Sequence, residues 1–336
     1  MIAMRRLTLG ALVLLLAPVL MATGHGDAGS GTQASRVSLT VAALRGPTGV
    51  GVAPYLADGS VAGEAATVSF EIVPDPGTMV ARLASGEAAV GMLPSNVVAQ
   101  LYNRDVPVRI AAVTLWGLMY VVGTDESIRQ WTDLEGRTVQ AVGQGATPDI
   151  LARHLLARNG LDPDADVTLS FRYPPVELAQ LVIAGTVDLA ILPEPFVTQI
   201  LSRRDDARVL LNFQTEWARF YGERYPQTAI VVRADAAQEH PEAVREALAL
   251  IEAGWRQVHA DPEAAGAMVA DSNLGLPGPV VTAALDRFNA DYVPVAAARD
   301  ALNRFFSVLA DFDPRAVGGA VPDNGIYLSL PEGGSR

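Results

Sequence analysis

One stretch of this chain is written twice. Shifted by 99 residues, Gly86–Gln100 falls on Gly185–Gln199, and five of the 15 pairs are identical: Gly86/Gly185, Leu93/Leu192, Pro94/Pro193, Val98/Val197 and Gln100/Gln199. Chance would give about one. Upstream, Val41 and Ala43 fall on Val139 and Ala141 at a shift of 98. Two unrelated β–α units converging on one pattern is the alternative. On either account the chain is built from two similar halves.

Each half alternates strands with helices. In the first, Val37–Leu44, 67–73 and 88–93 have strand patterning, and Met79, Val80 and Leu83 recur at helical spacing before Gly86. In the second, Arg137–Val142, Val167–Phe171 and Val187–Leu192 are the strands. Thr147 suits a helix N-cap there, Pro148 the first helical turn, and 175–184 a helix closed by Gly185. Strand–helix–strand order with short connections predicts an α/β chain of two lobes, each a mostly parallel sheet flanked by helices. Leu115–Gly123 and Thr228–Val232 read as two strands crossing between the lobes. The helices after Ala234, at Pro241 onward, 261–270, 279–289 and 295–309, return to the first lobe. The expected division is lobe 1 over 36–118 and 234–336, and lobe 2 over 119–233.

The first 35 residues read as processing and linker sequence. Arg5 and Arg6 precede an apolar run of 15, Leu7–Met21, and then small residues Ala22-Thr23-Gly24. That is the form of a secretory signal, here residues 1–24, and the run is short of the about 20 residues a spanning helix needs. Residues 25–35 are Gly/Ser/Thr-rich and read as a flexible lead-in. An uncleaved anchor is the alternative.

Several chemistries are closed to this chain. All 25 basic side chains are arginine and none is lysine, which excludes Schiff-base and pyridoxal-phosphate catalysis and a GxxxxGK[ST] phosphate loop. There is no cysteine, which excludes disulfides, thiolate catalysis, iron–sulfur clusters and a lipid-anchored cysteine. A net charge of −12 argues against a nucleic-acid partner. His25, His154, His240 and His259 form no spacing suited to a metal, and no GxSxG elbow is present, so no catalytic residue, metal or cofactor is expected.

Ligands of open α/β sheets bind outside the carboxyl ends of strands. Four loops follow such ends. Arg45-Gly46-Pro47-Thr48-Gly49 offers backbone N–H groups that glycine lets a ligand approach, although Pro54 requires a helix that begins near Ala53 or kinks. Pro94-Ser95-Asn96 is the second loop. Gln144-Gly145-Ala146-Thr147 repeats the first device in the other lobe, with Thr147 either touching ligand or capping its helix. In Pro193-Glu194-Pro195-Phe196, Glu194 either meets an N–H donor of a ligand or pairs with an arginine of the other lobe on closure. Trp116 and Phe196 stand at strand ends, where a planar ligand would stack; ordinary core is the alternative for each. Facing lobes would bring these loops to one cleft.

These pieces resemble the periplasmic substrate-binding proteins of ABC importers, in the nitrate/sulfonate/taurine and thiamine-pyrimidine-precursor branch. Asp133-Leu134-Glu135-Gly136-Arg137 is similar to that branch's D-L-x-G-K/R entry to the second lobe. Gly185-Thr186-Val187-Asp188 with Glu194-Pro195 resembles its G-x-V-D and E-P signature, and His240-Pro241-Glu242 its H-P-E return helix. The resemblance runs from about Val37 to Tyr327. It implies a type II periplasmic-binding-protein fold and a monomeric periplasmic clamp. Such a clamp takes a small planar or anionic nutrient (a sulfonate, nitrate or a pyrimidine-like molecule) and passes it to an ABC permease in the inner membrane. Without a lipobox cysteine, a freely diffusing protein is implied. The rivals are an enzyme on this fold resembling the menaquinone-pathway dehydratases, which act in the cytoplasm and carry no signal segment, and a periplasmic sensing partner of a membrane receptor.

Overall fold

Runs such as Val90–Leu93 and Leu189–Leu192 are too short for a useful helix and apolar at every position, the pattern of strands covered on both faces. The computed structural model describes residues 36–331. The signal segment and lead-in expected over 1–35 lie outside the described residues. The strands are β1 (Val37–Leu44), β2 (Ser60–Ala62), β3 (Ala66–Val73), β4 (Val90–Pro94), β5 (Val108–Leu115), β6 (Met119–Gly123), β7 (Thr138–Gln140), β8 (Thr168–Ser170), β9 (Leu189–Pro193), β10 (Arg208–Asn212), β11 (Thr228–Arg233) and β12 (Ala290–Pro294). They form a seven-stranded sheet, β12-β5-β11-β4-β1-β3-β2, and a five-stranded sheet, β10-β6-β9-β7-β8.

The two sheets share one plan. β3, β1 and β4 are parallel in the first, and β8, β7 and β9 in the second. In each, the next strand runs antiparallel: β11 against β4, and β6 against β9. Register agrees as well. Ala42 lies opposite Gly91, and Gln140 opposite Ala190, pairs that the 98- and 99-residue shifts superimpose. The repeat read in the sequence is therefore a repeat of pairing geometry.

Both expected crossing strands need correction. Leu115–Gly123 is two strands, and the chain changes sheets within Trp116–Leu118. The break falls at Gly117, whose φ is +68°, where a Cβ would meet Gln214 and Tyr225 at 2.5 and 2.8 Å. Thr228–Val232 does not bridge at all. It is β11, an interior strand bonded to β4 on one edge and β5 on the other, because a fully buried backbone needs partners on both sides. The return crossing is the irregular segment 222–227. The short edge strands β2, β10 and β12 carry too little pattern to be anticipated.

The return helices Pro241–Ala260, Pro262–Ala270 and Gly278–Ala284 cover one face of the first sheet through Val244, Ile251, Val269 and Val281. Val295–Phe312 covers the other face and also reaches the second lobe: Phe305 meets Trp217 of the helix Phe213–Tyr221 edge-on, with ring centroids 6.1 Å apart. Among the described residues no helix is long and apolar enough to cross a membrane.

Candidate functional site

Register alone shows which edges face each other. β11 begins at Thr228, opposite both Pro94 and Leu115, so β4 and β5 end on the same edge of the first sheet. β6 begins at Met119, opposite Pro193, the carboxyl end of β9. Only Trp116–Leu118 separates the two sheets here, and at about 3.6 Å per residue β5 and β6 are held within roughly 14 Å. The carboxyl ends of β4, β5 and β9 therefore meet at this junction, and the loops after β1 and β7 leave the same carboxyl edges of their sheets.

Two of these loops match in detail. Gly46 and Gly145 stand 99 residues apart, have φ of +90° and +70°, and each would point a Cβ into open space. Only glycine holds such a conformation without strain. Thr48 and Thr147 follow each glycine at the same distance. Not every N–H in these loops is free: Gly46 donates to Leu274 O (3.0 Å), Gly49 to Gly46 O (3.2 Å) and Gly145 to Asp149 Oδ2 (2.8 Å). Gly49 is a packing residue instead, since its Cβ would sit 2.2 Å from Leu274. Pro47–Val52 forms a 3-10 turn leading into the short helix Ala53–Leu56, which accommodates Pro54 in a first turn. Thr147 is the first residue of its helix rather than the cap, and Ala146 takes the cap position with no side-chain bond. Arg45 and Gln144 are exposed, and Arg45 has no carboxylate partner among the described residues.

The other two loops are tied to the crossings. Ser95 N–H donates to Gln227 O (3.1 Å), and Glu194 N–H donates to Leu118 O (3.0 Å). Ser95 is fully buried, and its hydroxyl has no partner among the described residues. A buried hydroxyl without a partner is uncommon in a folded chain. Pro94 ends β4, and Asn96 is half-buried in the first turn of the helix Ser95–Tyr102.

Glu194 took the second of its two expected roles. Its carboxylate is fully buried and accepts from Thr198 N–H (3.1 Å), Thr198 Oγ1 (3.0 Å) and Arg287 Nε. Arg287 belongs to the turn Leu285–Phe288 leading into β12 of the first sheet, so the pair spans the lobes. Trp116 also departs from a stacking role. It is buried in the first crossing, with its indole N–H donating to Asp291 O (3.0 Å) and the Arg224 guanidinium over its ring at 4.4 Å. Phe196 is half-buried and packs on the core.

Two further groups lie on these carboxyl edges. Gln227 carries a buried side-chain oxygen without a partner among the described residues, on a crossing that no sequence pattern marks. Arg172 follows β8 on the carboxyl edge, exposed and without a carboxylate partner among the described residues. The strand-end rule would have found it had it been applied to the loops after β3 and β8. No group of His, Asp and Glu suited to a metal occurs among the described residues.

Residues 54–270 match the family model described as "ABC transporter, phosphonate, periplasmic substrate-binding protein". The chain belongs to this family. The chain is 29% identical over 99 residues to the nitrate/nitrite binding protein NrtA of Synechococcus elongatus, covering 30% of this chain and 21% of that protein. It is 28% identical over 130 residues to the NrtA of Nostoc, covering 38% and 28%. The match thus spans 21% to 28% of the length of these curated relatives. Among solved structures, an ABC transporter protein from Parabacteroides distasonis aligns with a TM-score of 0.72 at 25% identity over 87% of this chain and 99% of that one. The periplasmic aliphatic sulphonate binding protein SsuA from Escherichia coli aligns at 0.69 with 17% identity over 90% and 96%, a likeness of fold. The type II two-sheet architecture of this family member is shared with both.

Proposed function

We propose that this protein is the substrate-binding component of an ABC import system, a periplasmic, monomeric clamp that takes a small anion between its lobes and presents it to a membrane permease. The lobes meet at 116–118 and 222–227, and ligand contacts come from the loops at Arg45–Thr48, Ser95–Asn96 and Gln144–Thr147, with Gln227 and Arg172 beside them. The observation that carries this reading is the matched pair of open glycines, Gly46 and Gly145, on the carboxyl edges of the two sheets, with an unpartnered guanidinium on each side, Arg45 and Arg172. Guanidinium groups favour planar or tetrahedral oxyanions through paired N–H···O bonds.

The mechanism is binding and release without chemistry. A ligand touching both loops does so only when the lobes are closed, so it shifts the population toward closure by its differential affinity. A thermal-shift and calorimetric panel of methylphosphonate, methanesulfonate, nitrate, phosphate and a neutral pyrimidine tests it. At least one anion should stabilise the chain, by about 2.7 kcal/mol at 100 times Kd. Stabilisation by the neutral pyrimidine alone would overturn the anion assignment.

A further inference from the structure

The two halves differ at one place where the repeat would have them agree. Ser95 and Glu194 are 99 residues apart, each directly follows a matched strand, and each donates its N–H to a crossing, Ser95 to Gln227 O and Glu194 to Leu118 O. One turn on, Ala99 corresponds to Thr198. In the first half the head of the helix holds an unpartnered hydroxyl, Ser95 Oγ. In the second it is filled. The Arg287 guanidinium donates through Nε to Glu194 Oε1 and through Nη2 to Thr198 Oγ1 (2.5 Å), and a third bond returns to Ala283 O (3.0 Å). A side chain of the first lobe thus occupies the second lobe's half of the duplicated site.

The turn that carries Arg287 is fastened to the second lobe from its backbone as well. Tyr120, the second residue of β6, donates its hydroxyl to Arg287 O (2.7 Å). Asn289 Nδ2 donates to Gly117 O on the first crossing (2.6 Å) and to the Tyr120 hydroxyl (3.2 Å). Glu194 has no exposed side-chain surface, so separating Arg287 from it would strand a buried carboxylate.

We propose that Arg287 is a positioning residue for ligand capture: its guanidinium plugs the Glu194–Thr198 half-site and latches the lobes together, biasing the unliganded clamp toward closure. Within this matched pair, the half-site left open is the one at Ser95. This rests on the two-lobe clamp reading, and it concerns the lobe equilibrium before any ligand arrives.

The chain has no cysteine, so introduced ones carry labels at unique sites. Pro74→Cys, just after β3, and Val176→Cys, in the helix Pro175–Ile183 after β8 and 64% exposed, put one spin label on each lobe away from the crossings. Pulsed dipolar distances are measured on the full chain with no ligand added. Arg287→Met and Glu194→Gln should each move the distribution to longer distances, and Arg287→Lys should restore much of the parent distribution. Superimposable distributions in the parent and both variants, with unchanged circular dichroism, would overturn the latch. If Arg287→Met fails to fold, the near-isosteric Glu194→Gln decides by the same criterion. A failed anion panel sinks the function proposed above, whereas these distances are read without ligand and sink only the latch.

Discussion

Gly46 and Gly145 occupy the same place in the two halves of the molecule, each in a left-handed backbone conformation and each with open space where a side chain would begin. Gly49 and Gly51, a few residues from the first of them, do the opposite. A Cβ on Gly51 would lie 2.3 Å from the Trp255 indole nitrogen. One loop therefore holds glycines of two kinds, kept for different physical reasons, and substitution separates them.

Gly46→Ala and Gly145→Ala should each cost about 1–2 kcal/mol through the left-handed backbone, with no clash, and should weaken ligand binding. Gly51→Ala should cost about 1–3 kcal/mol by overpacking and, in whatever remains folded, leave affinity nearly unchanged. Chemical denaturation paired with calorimetry checks both. Equal loss of affinity in Gly51→Ala would mean the whole loop acts through packing.

Arg45→Ala and Arg172→Ala remove exposed side chains with no carboxylate partner among the described residues, so unliganded stability should stay within about 0.5 kcal/mol. Anion affinity should fall by about ten- to a hundredfold for each, the weight of a charge-assisted hydrogen bond of about 1.5–3 kcal/mol. Titration calorimetry with the anion found in the panel is the measurement, and full affinity in both variants would remove the guanidinium pair from the site.

Ser95→Ala should do the unusual thing of raising or preserving the melting temperature of the free protein while lowering ligand affinity. The reason is that a buried hydroxyl without a partner is a cost to the unliganded fold, and deleting it removes that cost. A lower melting temperature in the free protein would show that the hydroxyl is structurally satisfied.

Acid should weaken the fold through His154. Burial, with Arg158 nearby and partly offset by Asp311, pushes its pKa from an ordinary 6.5 down to about 4. The ring is neutral in the native state and lies beside Tyr221, with Nε2 at 2.6 Å from the hydroxyl and Trp217 close by. Below about 6.5 the unfolded chain binds the extra proton first, so this stabilisation is present above that pH and is lost progressively down to about 4. Melting temperatures between pH 7 and 4 should fall, and His154→Phe should flatten that part of the profile. An unchanged slope in the variant would assign acid sensitivity to other groups.

Much of the fold was legible because the repeat imposes two periodicities at once. Val90–Leu93 and Leu189–Leu192 are fully apolar and short, and a 99-residue shift lays one on the other, so strand type and equivalence could be read without coordinates. The loops at Gly46 and Gly145 were legible for the same reason. β2, β10 and β12 were not, because short edge strands are held by neighbours rather than by their own pattern. Arg172, two residues beyond β8, is reachable by the strand-end rule.

What the sequence determined alone was local and periodic: the duplication, the strand–helix alternation, the turn glycines, and the chemistries forbidden by the lack of lysine and cysteine. What the tertiary structure decided was partnership over long separations. Glu194 meets Arg287 across 93 residues, Trp116 is enclosed by Asp291 and Arg224, and β11 inserts between β4 and β5 instead of bridging the lobes. A side chain's spacing fixes which face of its own element it occupies. Which distant group arrives at that face depends on how the whole chain closes, and burial then makes the pairing obligatory.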